Sequence, residues 1–225
     1  MSERLDGSVP VVDAETAAAH IAPDATILAS GFGSVGYPKA VPLALAEDDR
    51  DLALTVVTGG SVGEEIDVEL VEAGAIARRY PYQARPPARA AVNDETIAFA
   101  DRHISTLGDD AQFGGMVEPD VAVVEALAVG EDWLIPSTSV GQTPAFVDSV
   151  DSLIVEVNRA QPLELEQFHD IYRPEIPPNR DAVPLETAGE RIGSSRIEFD
   201  SSMLDAVVET ERRDEPYEFR HPTAV

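Results

Sequence analysis

The sequence predicts an α/β fold with an open, mostly parallel sheet flanked by helices, and three features carry that expectation. Short apolar segments of strand length recur along the chain. Segments with helical spacing separate them, which is the order a parallel sheet requires. Glycine-rich turns follow the strands, and in α/β sheets ligands bind at the carboxyl edge where such turns gather.

Taken in order, a helix opens near Asp13 and runs through the alanines to Ile21. A strand from Thr26 to Ala29 leads into the turn Gly31-Phe32-Gly33-Ser34-Val35-Gly36, and Pro38 or Pro42 starts the next helix, since proline is tolerated in a first turn. The unit repeats as a strand over Leu52–Val57, a turn Thr58–Gly63 and a helix over Glu65–Ala73. Strands follow at Val121–Ala126 and Trp133–Pro136, then a turn Ser137–Gly141, a helix near Phe146 and a strand over Ser152–Val157. Residues 159–184 are proline-rich and read as an ordered excursion or lid. A short helix near Met203 and a strand over Ala206–Thr210 complete a domain spanning 1–215, with 216–225 as a linker-like tail. Ser-Val-Gly turns recur at Ser34, Ser61 and Ser139, each after a strand, so they are expected to meet at one sheet edge.

Composition narrows the range of partners. Sixteen Lys+Arg against forty-two Asp+Glu give a net charge of −26. Lys39 is the single lysine. The acids are spread among apolar segments and form no tail, which argues against disorder. An acid-rich, lysine-poor surface suits a halophilic protein kept soluble in molar salt, where the screening length falls to about 3 Å. Nucleic acid and anionic membranes would be repelled. There is no cysteine, hence no disulfide and no thiolate metal site. The opening residues lack an apolar signal core and no run of 18 apolar residues follows, so a cytoplasmic protein is expected.

Two motifs invite enzymatic readings and are better explained otherwise. Gly31-x-Gly33-x-x-Gly36 has the letters of a dinucleotide turn, but the next strand ends in Val57-Thr58-Gly59 without the acid that would hold a ribose. Gly59-x-Ser61-x-Gly63 has the letters of a serine-hydrolase elbow, with His169 and Asp120 or Asp148 as candidate triad partners. Only two strands precede Ser61, and Glu64, Glu65 and Asp67 crowd the place where an oxyanion would need stabilising. His20, His103 and His221 read as structural, and no histidine or carboxylate spacing suggests a metal.

One charge anomaly stands out. Between Glu72 and Asp94 there is no acid, yet Arg78, Arg79, Arg85 and Arg89 fall there. Guanidinium forks suit carboxylate and phosphate, so this island either focuses an anionic ligand or pairs with the protein's own acids. Lys39, beside the glycine turn, raises the same question.

Beyond these features, ten segments in order resemble the acetyl-CoA hydrolase/CoA-transferase family, which includes succinyl-CoA:acetate CoA-transferases. They include Gly-Tyr-Pro-Lys-Ala-Val-Pro-Leu (36–43), Thr-Gly-Gly-Ser-Val-Gly (58–63), Arg-Arg-Tyr-Pro-Tyr-Gln (78–83), Asp-Arg-His-Ile-Ser (101–105), Ile-Pro-Ser-Thr-Ser-Val-Gly (135–141) and Ile-Val-Glu-Val-Asn (154–158). The resemblance is to the amino-terminal domain and implies a CoA-transferase-type sheet. It implies a reaction through a glutamyl-CoA thioester on a glutamate of a second domain, with a coenzyme A thioester as substrate and no permanently bound cofactor. The first domain would line the pocket for a small carboxylate such as acetate or succinate. Ser61 and the turn Gly31-Phe32-Gly33 are the best-matched contacts, and Lys39, Gln83 and Arg89 complete the substrate-binding candidates. No catalytic residue and no metal ligand is assigned; Glu125 and Glu156 match first-domain motifs and are not taken as nucleophiles. Ala84 stands where relatives often carry a hydroxyl, and Glu209 where some carry arginine. The implied role is half of a CoA-transferase or acyl-CoA hydrolase, with a second-half domain or subunit as its partner in an oligomer. A non-catalytic binding module or inactive remnant and a Ser61 hydrolase are the alternatives. Phe32, Tyr37, Tyr80 and Tyr82 are candidate anchors for that partner unless they belong to the core, which is the expectation above all for Phe32.

The charge balance makes one direct prediction. Self-repulsion acts over roughly 30 Å at 0.01 M salt and is muted at molar salt. The melting temperature is therefore expected to rise from dilute buffer to molar KCl, and a flat profile would remove the halophile argument.

Overall fold

Strands buried on both faces need apolar side chains at consecutive positions, and this chain supplies them. The computed structural model describes residues 4–81, 84–115 and 118–216. Among these, β1 (Thr26–Ala29), β2 (Leu54–Thr58), β3 (Ile76–Tyr80), β4 (Ala98–Phe99), β5 (Val121–Val129), β7 (Leu153–Asn158) and β9 (Leu204–Thr210) form a parallel array. Its order is β4-β3-β2-β1-β5-β7-β9. Direction along the sheet reverses between β1 and β5, so the crevice beyond their carboxyl ends is the topological switch point.

Alternate side chains of the strands enter separate cores. Ile27, Leu54, Val56, Val121, Val123, Ile154, Ala206 and Val208 pack on one face, with α1 (Ala14–Ala19), α2 (Ala40–Ala46) and α3 (Leu70–Glu72). Leu28, Val57, Ala122, Val124, Leu153, Val155 and Val207 pack on the other, with Leu107 and Ala111 of α5 (Leu107–Gln112) and Phe146 and Val147 of α6 (Thr143–Val147). The period of two within each run thus makes a helix–sheet–helix sandwich.

The nine-residue β5 serves two neighbourhoods. Ala122 to Glu125 pair with β7, whereas Ala126 to Val129 pair antiparallel with β6 (Trp133–Pro136), which in turn pairs with β8 (Ile197–Glu198). Glu125 is the residue at the changeover.

The strands read from apolar runs lie within two or three residues of their observed ends. Five strands and α-helices have no counterpart in the sequence reading: β3, α4 (Pro86–Asn93), β4, α5 and β8. In β3 the pair Arg78-Arg79 interrupts the apolar pattern, and the strand forms because Arg79 is buried with polar partners of its own. The helix expected over Glu65–Ala73 opens as a π-helical turn, Glu65–Glu69, before α3. The excursion after β7 contains a 3-10 segment at Leu163–Phe168 and is tied to the α5 and α6 layer by Arg173 to Asp148 and by Arg180 to Asp109, the latter at 2.5 Å. Of the expected linker, 217–225 lie outside the described residues. No helix among the described residues is long and apolar enough to cross a membrane.

The three Ser-Val-Gly turns do meet. The Ser34 hydroxyl donates to the Val62 carbonyl at 3.2 Å, and a Cβ on Gly36 would lie 2.5 Å from the Ser139 nitrogen. Gly63 is the tightest contact of the group, because a Cβ there would fall 1.7 Å from the Tyr37 hydroxyl. Gly63→Ala is therefore expected to lower stability by about 1–3 kcal/mol, the ordinary cost of overpacking. Thermal denaturation checks this; an unchanged melting temperature would show that the Tyr37 ring moves aside freely.

Candidate functional site

At the carboxyl ends of β1 to β4 the connecting turns line a half-open cavity of about 550 Å³. Phe32 and Gly33 come from the turn after β1, Gly60 and Ser61 from the turn after β2, Pro81 from the end of β3, and Arg102, His103 and Ile104 from the segment after β4. Gly31 lies behind this wall with φ of +110°, where a Cβ would press 2.5 Å from the Tyr37 Cβ, so glycine is required for the chain to turn inward. Phe32 is 49% exposed. It is not a core residue, contrary to expectation, because the turn aims its ring over the cavity. Tyr37 and Tyr80 are the buried ones and are unavailable as partner anchors.

Ser61 is held by a network beneath the cavity. Its hydroxyl donates to Asp67 Oδ2 at 2.9 Å and accepts from the Ala84 N–H at 3.1 Å. The same Asp67 oxygen accepts from the Val62 N–H at 2.8 Å, and Asp67 Oδ1 pairs with Arg79 Nη2 at 2.9 Å. This geometry removes the serine-hydrolase alternative. In a nucleophile elbow the serine proton goes to histidine and the following N–H serves the oxyanion; here Asp67 takes both. His169 Nε2 bonds the Pro136 carbonyl at 2.8 Å, Asp120 accepts from the Thr26 N–H at 2.7 Å, and Asp148 pairs with Arg173, so no triad assembles. His103, the histidine that does line the cavity, engages Ser105 Oγ at 2.7 Å.

Behind the first turn, at the switch point, lies a second polar cluster sealed from water. Lys39 Nζ contacts Glu125 Oε2 at 2.5 Å and Asp214 Oδ1 at 2.9 Å, and its side chain has no exposed surface. Glu125 also accepts from Ser137 Oγ at 2.5 Å and Asn158 Nδ2 at 2.9 Å. Glu156, its register partner on β7, accepts from the N–H groups of Lys39, Ala40 and Val41 at 2.8, 2.9 and 2.7 Å. The start of α2 is thereby closed by an internal carboxylate, and a dinucleotide pyrophosphate has no seat there. Burial alone would lower the Lys39 ammonium, but the Glu125 and Asp214 charges hold it above the ordinary lysine value. Burial pushes the Glu125 carboxyl up to about 7 against the pull of Lys39, and burial likewise raises Glu156 against its three backbone donors.

The candidate residues therefore separate. Phe32, Gly33 and Ser61 line the cavity, with Gly31 supporting them. Lys39 is wholly internal and ion-paired, so its contact with a substrate finds no support in its placement. Arg89 is exposed on α4 and is not a lining residue. Gln83, with Tyr82, lies outside the described residues. No periodic pattern in the sequence singles out Arg102 and His103 as site residues. The matched segment 101–105 is their one signal.

Residues 9–209 match the family described as the acetyl-CoA hydrolase/transferase N-terminal domain. The chain belongs to that family. It is similar to the succinyl-CoA:acetate CoA-transferase of Clostridium kluyveri, at 40% identity over 209 residues, covering 91% of this chain and 39% of that protein. It is also similar to the acetyl-CoA hydrolase of Eremothecium gossypii, at 37% identity over 82% of this chain and 38% of that protein. The chain thus spans less than two fifths of the length of these relatives. Among solved structures, RipA from Yersinia pestis superposes with a TM-score of 0.61 at 17% identity, covering 99% of this chain and 45% of that one. A chain of the decarboxylase AibA/AibB superposes with a TM-score of 0.56 at 16% identity, covering 90% and 83%. These two likenesses concern the fold alone, and it is the CoA-transferase-like fold the sequence resemblance implied.

The buried cluster makes a pH prediction whose sign is fixed. Glu125 has a higher pKa folded than unfolded, so its contribution to stability is full below about 4.5 and is lost as pH rises through about 7. The advantage of wild type over Glu125→Gln in melting temperature is expected to shrink between pH 5 and pH 7.5. A difference that stays constant or grows would contradict the raised carboxyl.

Proposed function

We propose that this chain forms the small-carboxylate side of an acyl-CoA exchange site, completed by a second-half domain or subunit that carries the glutamate nucleophile. The observation that carries the reading is the lining of the cavity. In a chain with forty-two acids, none of the lining residues is acidic, whereas Arg102 and His103 are present. A site for an anion needs that exclusion, because a carboxylate in the wall would repel the ligand. The location at the strand ends supports the reading as well.

Acyl exchange between a carboxylate and coenzyme A needs a nucleophilic carboxylate, an oxyanion site and a cation for the incoming acid. Glu125 and Glu156 are poor choices for the first role, being buried and committed to Lys39 and to the start of α2. The nucleophile is then a group from beyond this domain, as the family resemblance implies. The names of the relatives above join succinyl-CoA to acetate and acetyl-CoA to hydrolysis, and we extend that class to this chain: a coenzyme A thioester as substrate, a small carboxylate or water as acceptor, and no resident cofactor. The acid-rich composition supports a cytoplasm of high salt as its setting.

Purified alone, the 225-residue chain is expected to show no acyl transfer or thioester hydrolysis with acetyl-CoA and acetate or succinate. Mixed in molar KCl with a complementary second half, it is expected to form a complex and turn over, and Ser61→Ala should lower turnover without dissolving the complex. Turnover by the chain alone on the order of 1–1000 per second would sink the proposal.

A further inference from the structure

Residues 211–216 leave β9 as irregular chain, and every residue in that stretch is exposed except Asp214. The Asp214 carboxylate lies 2.9 Å from Lys39 Nζ and accepts from the Gly36 N–H at 3.2 Å and from Thr138 Oγ1 and Gln161 Nε2, each at 2.8 Å. Elsewhere the stretch is held lightly. Asn158 Nδ2 donates to the Arg212 carbonyl at 2.6 Å, the Arg212 N–H reaches Thr210 Oγ1 at 3.3 Å, and Arg212 Nη1 stands 3.8 Å from Glu65 Oε1. One carboxylate therefore pins an exposed stretch of chain across the carboxyl edge of the sheet, at the switch point.

The charges at that pin do not balance. Among the described residues Lys39 is the one cation within ion-pair distance of Asp214, and it is also the one cation for Glu125, at 2.5 Å. Two carboxylates that share a single ammonium away from water disfavour each other's ionisation. The other charged groups nearby leave that count unchanged. Glu156 on β7 is spent on the N–H groups of Lys39, Ala40 and Val41, and Glu65 accepts from the Tyr37 hydroxyl, whose ring lies 4.1 Å from Lys39 Nζ. Arg212, Arg213 and Glu215 are exposed. The proton that relieves the pair belongs on Glu125: burial, against the pull of Lys39, raises its carboxyl to about 7, and the Asp214 charge adds to the rise. Lys39 stays an ammonium, since the two carboxylates outweigh the effect of its burial.

We propose that Asp214 is a pH-sensitive clasp, which holds residues 211–216 across the switch point while Glu125 keeps its proton and lets them go when that proton leaves. The sign follows from linkage. Asp214 raises the pKa of Glu125, so release of Asp214 lowers it, and by the same coupling deprotonation of Glu125 favours release. The clasp is closed below about pH 7 and loosens above it. Opening frees the Gly36 N–H and the Thr138 hydroxyl, and so removes an anchor from the turn that carries Phe32 and Gly33. The device stands on the buried cluster and holds whatever ligand the cavity takes.

The test is limited trypsin digestion of the full chain in molar KCl between pH 6 and pH 8.5. Cleavage of the Arg212–Arg213 bond is measured against that of Arg191–Ile192 in the excursion, which corrects for the protease's own pH dependence; Arg191 and Arg212 are both exposed. The ratio is expected to rise with pH, by about tenfold for each pKa unit by which release of Asp214 lowers Glu125. Glu125→Gln, which keeps the shape of the protonated carboxyl, should stay slowly cut at every pH. Asp214→Asn should be cut faster than wild type at pH 6 and show no further rise. Cleavage after Arg79, buried in β3, reports global unfolding and should not follow the ratio. A wild-type ratio that is flat or falls with pH would overturn the proposal, as would a rise that persists in Glu125→Gln or is matched by cleavage after Arg79. Should Glu125→Gln fail to fold, a pH-dependent rise in Asp214→Asn would overturn it by itself.

Discussion

The Lys39 ammonium, shut away from water between Glu125 and Asp214, joins distant parts of the chain at one point. Its backbone N–H is held by Glu156 on β7, its side chain by Glu125 on β5 and by Asp214 beyond β9. Asp214 in turn accepts from the Gly36 N–H at 3.2 Å and from Thr138 Oγ1 and Gln161 Nε2, each at 2.8 Å. The first glycine turn, the Ser137–Gly141 turn and the segment leaving the last strand are therefore fixed by the same buried charges. Removing one partner from such a cluster strands the others without solvent, which is why buried pairs fail badly when broken even where they add little net stability. The cavity wall depends on this cluster at one remove, because Phe32 and Gly33 belong to the turn that Lys39 and Asp214 anchor.

The cluster also explains what some of the acids of this protein are for. Most face the solvent, but Asp67, Glu125, Glu156 and Asp214 are withdrawn from it and accept hydrogen bonds that fix the turns and the start of α2. A carboxylate offers more acceptor sites than a carbonyl and binds its donors more strongly. Polar turns packed this close to a sheet edge carry N–H groups that must be paired; Asp67 and Asp214 pair those of Val62 and Gly36, Glu156 pairs those at the start of α2, and Glu125 holds the Ser137 hydroxyl. They do so from behind the turns, which leaves the cavity face itself free of negative charge.

The parts of the fold legible in the sequence are those where local pattern and burial agree. Strands β1, β5 and β7 are buried along their whole length, with both faces covered, so pattern and structure coincide. Where a polar side chain is buried with partners distant in sequence, the pattern misleads. Arg79 breaks the apolar run of β3 because its partner Asp67 lies on another element, and Lys39 resembles a ligand contact because Glu125 is 86 residues away. Of the site, the glycine turn and Ser61 are legible because conformational need leaves its mark in residue type. Arg102 and His103 are legible only through the matched segment 101–105, since an exposed segment without periodicity gives no other sign of the cavity it lines.

That division of labour constrains how such a domain can work. Its own titratable groups near the switch point are already committed to one another, so the domain offers shape, a fixed hydroxyl and cationic groups, and little that can attack. A reactive carboxylate added to that cluster would either pair with Lys39 or disturb it. In the proposed arrangement, with the nucleophile on a second body, the scaffold keeps its own charges satisfied and the reacting carboxylate is not drawn into the buried cluster. Turns braced from behind by buried carboxylates would, in that arrangement, present a preformed wall to a small anion.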